Sequence, residues 1–413
     1  MKLSQLFTKT LRETPKDEES VNAKLLIRGG FVSKVMAGVF EFMPLGWRVL
    51  DKINDIIREE MNAVGGQEIF MSVFQDPEVW SKTGRWEEAS KVMYQFKDNA
   101  GREYGLGFTH EEPLTAAASR YINSYKDLPK AVYQIQTKFR NEPRAKSGIL
   151  RGREFLMKDL YSFHATQEDL DEYYEIVADA YMKIFKRVNV AAIRTFASGG
   201  LFSKYSDEFQ VPAEVGEDVV YVNEKENRAV NKEVYNDEVL SDLGWNKDNL
   251  IEKNAIEVGN IFKLGTRFSE NLGLKYADEN GDKKPVIMAS YGLGPARLMG
   301  TIVELHNDEK GIIWPESVAP FRIHLISLDG KNKETDDIYD DLKKNGSPAG
   351  GEVLYDDREE VSAGEKFAAA DLIGCPLRVV VSKKTLEKDS VELKKRNEQK
   401  TELVKIKNIS DIV

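Results

Sequence analysis

A chain of 413 residues with a formal net charge of −10 is long enough for two or three domains and too acidic for a nonspecific nucleic-acid coat, although a local basic surface still permits a specific nucleic-acid ligand. Its single cysteine, Cys375, excludes a disulfide framework and a cysteine-based zinc site. The N-terminus MKLSQLFTKTLRETPKDEES, crowded by Glu13, Asp17, Glu18 and Glu19, reads neither as a secretory signal nor as a transit peptide, and no later stretch reaches membrane-spanning length, so a cytoplasmic protein is expected.

From Leu45 to Met61 the apolar residues Val49, Leu50, Ile53, Ile56, Ile57 and Met61 recur at the spacing of one helix face. Gly65-Gly66 stops that helix, and QEIFMSVF after it reads as a short, largely apolar strand. Thr109-His110-Glu111-Glu112 follows a strand and precedes a helix whose start Pro113 marks. Thr109 and Glu111, two apart at a strand end, point toward one cavity, where a hydroxyl and a carboxylate suit an ammonium or imine nitrogen. The same four residues also read as a helix cap with acids complementing the dipole. Leu114 stands where a zinc-protease helix needs its second histidine, which excludes that reading.

AVYQIQTKFR and REFLMKDLYSF both alternate as strands do. They flank a basic, glycine-containing loop, so they are predicted to pair antiparallel with their inward side chains on one face. Arg140, Glu142, Arg151, Phe155 and Asp159 gather around that loop. An arginine fork grips phosphate, a carboxylate accepts a hydrogen bond from an adenine amino group, and Phe155 offers a flat surface to a base. The competing reading is a charged surface hairpin with a solvated turn.

A second amphipathic helix is predicted from Gln167 to Val188 behind a Thr166 cap. The irregular stretch FASGGLFSKYSDEFQVPAEV, residues 196–215, follows, and then a polar, mixed-sign segment from Glu217 to Ala255, too short for an independent domain. IEVGNIFKLG and PVIMASY read as strands, and Gly292-Leu293-Gly294-Pro295-Ala296-Arg297 opens a helix without meeting a dinucleotide fingerprint. Beyond Trp314-Pro315-Glu316 a new alternation of strands and helices begins at Phe321, a separate small α/β unit. Its lysine-rich tail, Lys383 to Lys407, reads as a solvated face unless a neighbouring site makes it a phosphate track.

The order Phe-Arg-x-Glu, loop, Arg-x-x-x-Phe-x-x-x-Asp resembles the second signature motif of class II aminoacyl-tRNA synthetases, and RNEPR with LRGREFLMKD resembles the bacterial prolyl branch. The helix from Leu45 with its following strand is similar to motif 1, and the strand, Gly-x-Gly and Arg297 are similar to motif 3. The resemblance implies an α+β catalytic domain, a mostly antiparallel sheet flanked by helices, with a C-terminal α/β anticodon-binding domain. The expected boundaries are 1–216 and 256–316 for the two catalytic parts, 217–255 for a short insertion, and 317–413 for the anticodon domain.

The activity implied is charging of tRNA(Pro) with L-proline through an ATP-derived adenylate, by a homodimer. Arg140 is expected on the α-phosphate and the substrate carboxylate, Glu142 on the adenine amino group, Phe155 and Arg297 on the two faces of the ring, and Arg151 with Arg297 on the outer phosphates. Thr109 and Glu111 are expected on the proline nitrogen, with Asp159 in the same pocket. Mg2+ is expected on the phosphates with Glu257 as its protein ligand, and zinc is not expected. Asp357, Arg358 and Lys366 are expected near the anticodon.

The segment 217–255 stands where most bacterial members carry a large domain that hydrolyses misattached alanine, which implies a short form without cis editing. Several residues depart from the family pattern: Ser72 for the motif 1 proline, Phe108 before the Thr109 loop, Asp207 for a histidine, Ser290 before Tyr291, and Pro295-Ala296 before Arg297. A synthetase-derived binding protein is the alternative, one that the presence of Arg140, Arg151 and Arg297 disfavours.

Overall fold

The computed structural model describes residues 1–14, 18–143, 145–200, 203–330, 332–345 and 352–409. Asp17, Arg144 of the RNEPR text and Leu201-Phe202 of the glycine-pair loop lie outside the described residues. Contacts divide the chain into two compact units, one of Met1–Val35, Phe40–Ile53 and Ile302–Val413, the other of Met36–Val39 and Asn54–Thr301. No helix among the described residues is long and apolar enough to cross a membrane.

The larger unit is built on a sheet in which nine described strands join. Across it the strands run Tyr205–Pro212, Ile193–Ser198, Arg228–Asn231, Asp218–Asn223, Ile251–Gly265, Ile287–Leu293, Glu154–His164, Lys130–Phe139 and Gln67–Glu68. The predicted hairpin forms in full, with Gln134 opposite Asp159 and Lys138 opposite Phe155. Tyr205–Pro212 also pairs with Ile251–Gly265, Asp207 opposite Ile261 and Pro212 opposite Ala255, closing five strands into a small ring. Ile193, Val220, Val222, Ala229 and Ala255 cluster there as buried residues. The segment expected as an insertion therefore extends the sheet: its strands carry alternating apolar side chains that only this ring buries.

The helix Pro44–Ala63 buries all six apolar positions read from its periodicity. The helix Gln167–Arg187 starts where Thr166 accepts the Asp169 amide. QEIFMSVF departs from its expectation as one strand. Gln67–Glu68 pairs parallel with the hairpin, whereas Phe74–Gln75 joins a separate three-stranded sheet with Glu103–Leu106 and Gln95–Lys97. Side chains take the hydrogen bonds a ladder would have used between the two, Gln134 Oε1 accepting the Met71 amide and Gln136 donating to the Met71 carbonyl.

In the smaller unit Val353–Asp356, Ile323–Ser327 and Leu377–Val381 run parallel, with Ser390–Lys395 and Thr401–Lys405 added antiparallel. The helices Lys333–Asn345 and Ala363–Ile373 link the parallel strands, as parallel pairing requires. Asp308 is gripped by both Arg396 η-nitrogens at 2.7 and 2.6 Å and by the Lys310 and Gly311 amides. Those Arg396 hydrogen bonds hold its carboxyl down to about 2. A depressed folded value stabilises above the unfolded carboxyl range and is lost as pH falls through the folded value. Asp308→Asn should therefore cost about 1 kcal/mol near neutral pH, allowing for the partly exposed pair. Urea unfolding at successive pH values should show the gap to wild type shrinking on acidification, and a gap independent of pH would refute the linkage.

Candidate active site

Alternation along the hairpin selects one face. Because directly opposed residues share a face, Gln134, Gln136 and Lys138 lie with Asp159, Met157 and Phe155, and Arg140 continues the series. The next strand adds Ser290 and Gly292, opposite Tyr161 and Asp159, and the one beyond adds Asn260 and Phe262. Gly292 leaves room on this face. A Cβ there would meet Met157 Cε at 2.6 Å and Asn260 Oδ1 at 2.8 Å, so its absence lets a ligand approach the sheet backbone.

Two cavities open on this face. The first, about 310 Å3, is lined by Arg140, Glu142, Arg151, Phe155, Glu257 and Arg297 among others, six residues the sequence had separated by more than 150 positions. The second, about 290 Å3, is lined by Thr109, Glu111, Arg140, Asp159, Tyr161 and Ser290 with Arg85 and Phe108. Arg140, Met157, Asn260 and Gly292 belong to both. The guanidinium of Arg140 has no carboxylate within ion-pair distance among the described residues. Its nearest polar neighbours are the Phe108 carbonyl at 3.5 Å and Met157 Sδ at 3.6 Å, its Nε is buried without a partner, and it lies 5.3 Å from the Phe155 ring. Burial and then the Arg297 charge lower its proton affinity. A cation so under-satisfied is poised for an anion.

The other phosphate candidates are held. Arg297 donates to the Leu150 carbonyl at 2.9 Å and to the Glu257 carbonyl and carboxylate at 2.9 and 3.1 Å. This ties the loop after the first hairpin strand, where Ser147 and Gly148 take positive φ of 65° and 64°, to the motif 3 helix. Arg151 pairs with Glu142 at 2.8 Å and with Glu217. Glu257 also accepts from Asn260 at 2.8 Å. Behind it Glu208 is pushed up to about 8 by burial and then by the Glu257 charge.

In the second cavity Thr109 donates to Glu111 Oε2 at 2.5 Å. Beneath them Asp159 forms an ion pair with Lys138 at 2.7 Å and accepts from Gln134 and Tyr161. Tyr161 in turn accepts the His110 amide, and His110 Nε2 meets the Ser72 carbonyl at 3.0 Å. Burial, then Lys138, holds His110 down to about 4, so the ring is neutral.

The departures resolve individually. Phe108 packs its ring 5.3 Å from Trp80, and Ser290 lines the second cavity. Asp207 faces the opposite side of the sheet, bound by Arg194, Arg228 and Tyr174, and lines neither cavity. In the smaller unit the anticodon candidates are engaged: Asp357 accepts from Ser4, Arg358 is bidentate on Asp356, and Lys366, 1% exposed, donates to the Ser327 carbonyl. Residues that no sequence pattern marked include Arg85, Lys138 and Asn260. A lone arginine, a strand lysine and a strand asparagine have no periodicity of their own.

Residues 94–306 match the class II tRNA synthetase core domain of the G, H, P, S and T group, and residues 318–413 match an anticodon binding domain. The chain is 39% identical over 432 aligned positions to a proline--tRNA ligase of Agrobacterium fabrum, covering 98% of both chains. It is 34% identical over 564 positions to one of Dehalococcoides mccartyi, covering all of this chain and 98% of the relative. The fold is similar to a Cryptosporidium parvum prolyl-tRNA synthetase complexed with L-proline and AMP, TM-score 0.77 at 18% identity, over 95% of this chain and 73% of that one. It is also similar to a Giardia lamblia enzyme in complex with prolyl-adenylate, TM-score 0.75 at 20% identity, over 94% and 74%. With near-complete alignment to its relatives and with both domains in one chain, this protein belongs to the prolyl-tRNA synthetase family, class II ligases that form aminoacyl-tRNA.

Proposed function

We propose that the chain activates L-proline with ATP and transfers it to tRNA(Pro), and that the first cavity takes ATP while the second takes proline. The observation that carries this reading is the unpaired Arg140 between them. An acyl adenylate forms when a carboxylate oxygen attacks the α-phosphorus and pyrophosphate leaves, so its two halves must meet at one cation. Arg140 binds the proline carboxylate and the α-phosphate. Thr109 and Glu111 receive the ring nitrogen, Phe155 and Arg297 flank adenine, Glu142 accepts from its amino group, and Arg151 with Arg297 holds the outer phosphates. A hydroxyl of the terminal adenosine of tRNA then attacks the carbonyl carbon and AMP leaves. Positioning and charge stabilisation supply most of the acceleration.

Among the described residues no three His, Cys, Asp or Glu side chains gather as a metal cage. Mg2+ bound to phosphates needs only one or two carboxylates, and Glu257 in the wall of the first cavity fits that demand. Such an ion neutralises phosphate charge. Arg151 and Glu257 exchange their present carboxylate and arginine partners for the nucleotide.

We further infer a short form without cis editing, on functional boundaries at 1–216, 217–255, 256–316 and 317–413. Two observations support it: the strands Asp218–Asn223 and Arg228–Asn231 are woven into the sheet, and the 564-position alignment greatly exceeds this chain's 413 residues, so that relative carries residues with no counterpart here. In the anticodon unit Asp357 and Lys366 support the surface from within. We also infer a homodimer through the surface carrying Phe70, 79% exposed, and Phe74, 55% exposed, whose ring lies 5.8 Å from Phe96; an apolar surface of that kind favours association.

Arg140→Ala should lower proline-dependent ATP–pyrophosphate exchange by about a hundredfold or more with an unchanged unfolding midpoint. Exchange near the wild-type rate would remove Arg140 from the reaction. Alanine is smaller by methylene-sized increments, worth only about 1 to 3 kcal/mol of discrimination, so alanyl-tRNA should form slowly and persist. Rapid hydrolysis of added alanyl-tRNA(Pro) by the purified chain would overturn the short-form reading. Phe70→Glu should shift the mass measured by light scattering from dimer to monomer, and a wild-type monomer would refute the interface.

A further inference from the structure

Glu112 contributes to neither cavity, yet it is the most deeply buried carboxylate beside the second one. Its side chain is fully shielded, and Oε1 accepts from Thr83 at 3.0 Å and from Arg85 Nη1 at 2.9 Å, while Oε2 is buried without a partner. The same Arg85 nitrogen stands 3.8 Å from Glu111 Oε2, with side-chain exposures of 11% and 8%. Arg85 is caged by the rings of Trp80, Phe108 and Phe268 at 5.2, 5.8 and 5.5 Å. One guanidinium therefore serves two carboxylates in a site of low dielectric, where an isolated charge is costly.

We propose that Arg85 is a positioning residue that apportions charge: by closing on Glu112 at 2.9 Å it leaves Glu111, at 3.8 Å, the weakly compensated carboxylate that receives the amino nitrogen of the substrate. The inference rests on the reading of the second cavity as the proline pocket. The remaining charges there already cancel or match, since Asp159 is paired with Lys138, His110 is neutral, and Arg140 awaits the substrate carboxylate. The pocket thus offers one negative and one positive charge, the complement of a zwitterion. If Glu112 loses its charge, Arg85 is freed to pair with Glu111 and competes with the substrate nitrogen. Glu112 is poised for that change. Burial pushes its carboxyl up to about 7 against the pull of Arg85, with Glu111 raising it further. The charged groups acting on Glu112 are Arg85 and Glu111, and the packed helices contribute the Thr83 hydroxyl and the Trp80 and Phe268 rings.

The test is the KM for proline and, separately, for ATP in pyrophosphate exchange. Glu112→Gln is expected to raise the proline KM about tenfold, the loss of one charge-assisted hydrogen bond, with the ATP KM unmoved. The double variant Arg85→Met, Glu112→Gln removes both charges and is expected to recover most of that loss. In the wild type the proline KM should rise as pH drops from about 8 to about 6, and in Glu112→Gln it should not. An unchanged proline KM in Glu112→Gln, a double variant no better than the single one, or a flat wild-type profile would each overturn the proposal. The wild-type profile decides the matter even if a variant fails to fold. Absence of any proline-dependent exchange in the wild type would instead overturn the assignment of the pocket itself.

Discussion

The buried carboxylate of Asp159 is the point from which the pocket face is organised. Unpaired at 4% exposure it would cost several kcal/mol, and three residues share the task of satisfying it. Lys138 supplies the charge from the neighbouring strand, Gln134 an amide from directly opposite, and Tyr161 a hydroxyl from two residues along. Each of these partners also holds something else or is fixed by the register. Tyr161 accepts the His110 amide, which sets the loop carrying Thr109 and Glu111, and Gln134 accepts the Met71 amide, which docks the segment after Glu68. One buried charge thereby couples the hairpin register, the loop of Thr109 and Glu111 and the segment after Glu68 through hydrogen bonds that must all be made together.

Above that floor the two cavities differ in how their charges are satisfied. In the first cavity Arg151, Arg297 and Glu257 already have partners. Among the described residues Arg140 has no carboxylate within ion-pair distance, and it stands at the point common to both cavities. The strongest unmet electrostatic demand on this face therefore lies where the two cavities meet. The sheet supplies the rigidity: Gly292, Asp159 and Gln134 stand in register across three adjacent strands.

Much of this was legible in the sequence. The six helix positions from Val49 to Met61, the hairpin from Lys130 to His164 and the Thr166 cap are local patterns, and each forms as its periodicity requires. Arg140, Glu142, Arg151, Phe155 and Arg297, expected together from motif order, line one cavity with Glu257, expected from the strand before motif 3. QEIFMSVF was misread as a single strand because apolar content alone does not say which of two sheets a residue joins. Asp207, which departs from the family pattern in the glycine-rich loop, is turned by strand parity to the far side of the sheet, where Arg194 and Tyr174 receive it. Asp357 and Lys366, expected near the anticodon, hydrogen-bond to Ser4 and to the Ser327 carbonyl inside their own unit, partners that no local pattern announces.

The hairpin, the two long helices and the family were readable from the residues themselves, because periodicity, turn chemistry and motif spacing are written within a few residues of one another. The tertiary structure alone shows that Asp218–Asn223 and Arg228–Asn231 complete a ring of strands, that Arg140 has no carboxylate partner among the described residues, and that Arg85 lies between Glu111 and Glu112. Each of these depends on pairings between segments far apart in the chain. Such pairings are selected by the burial of whole faces and the mutual satisfaction of charges, neither of which any local stretch of residues encodes.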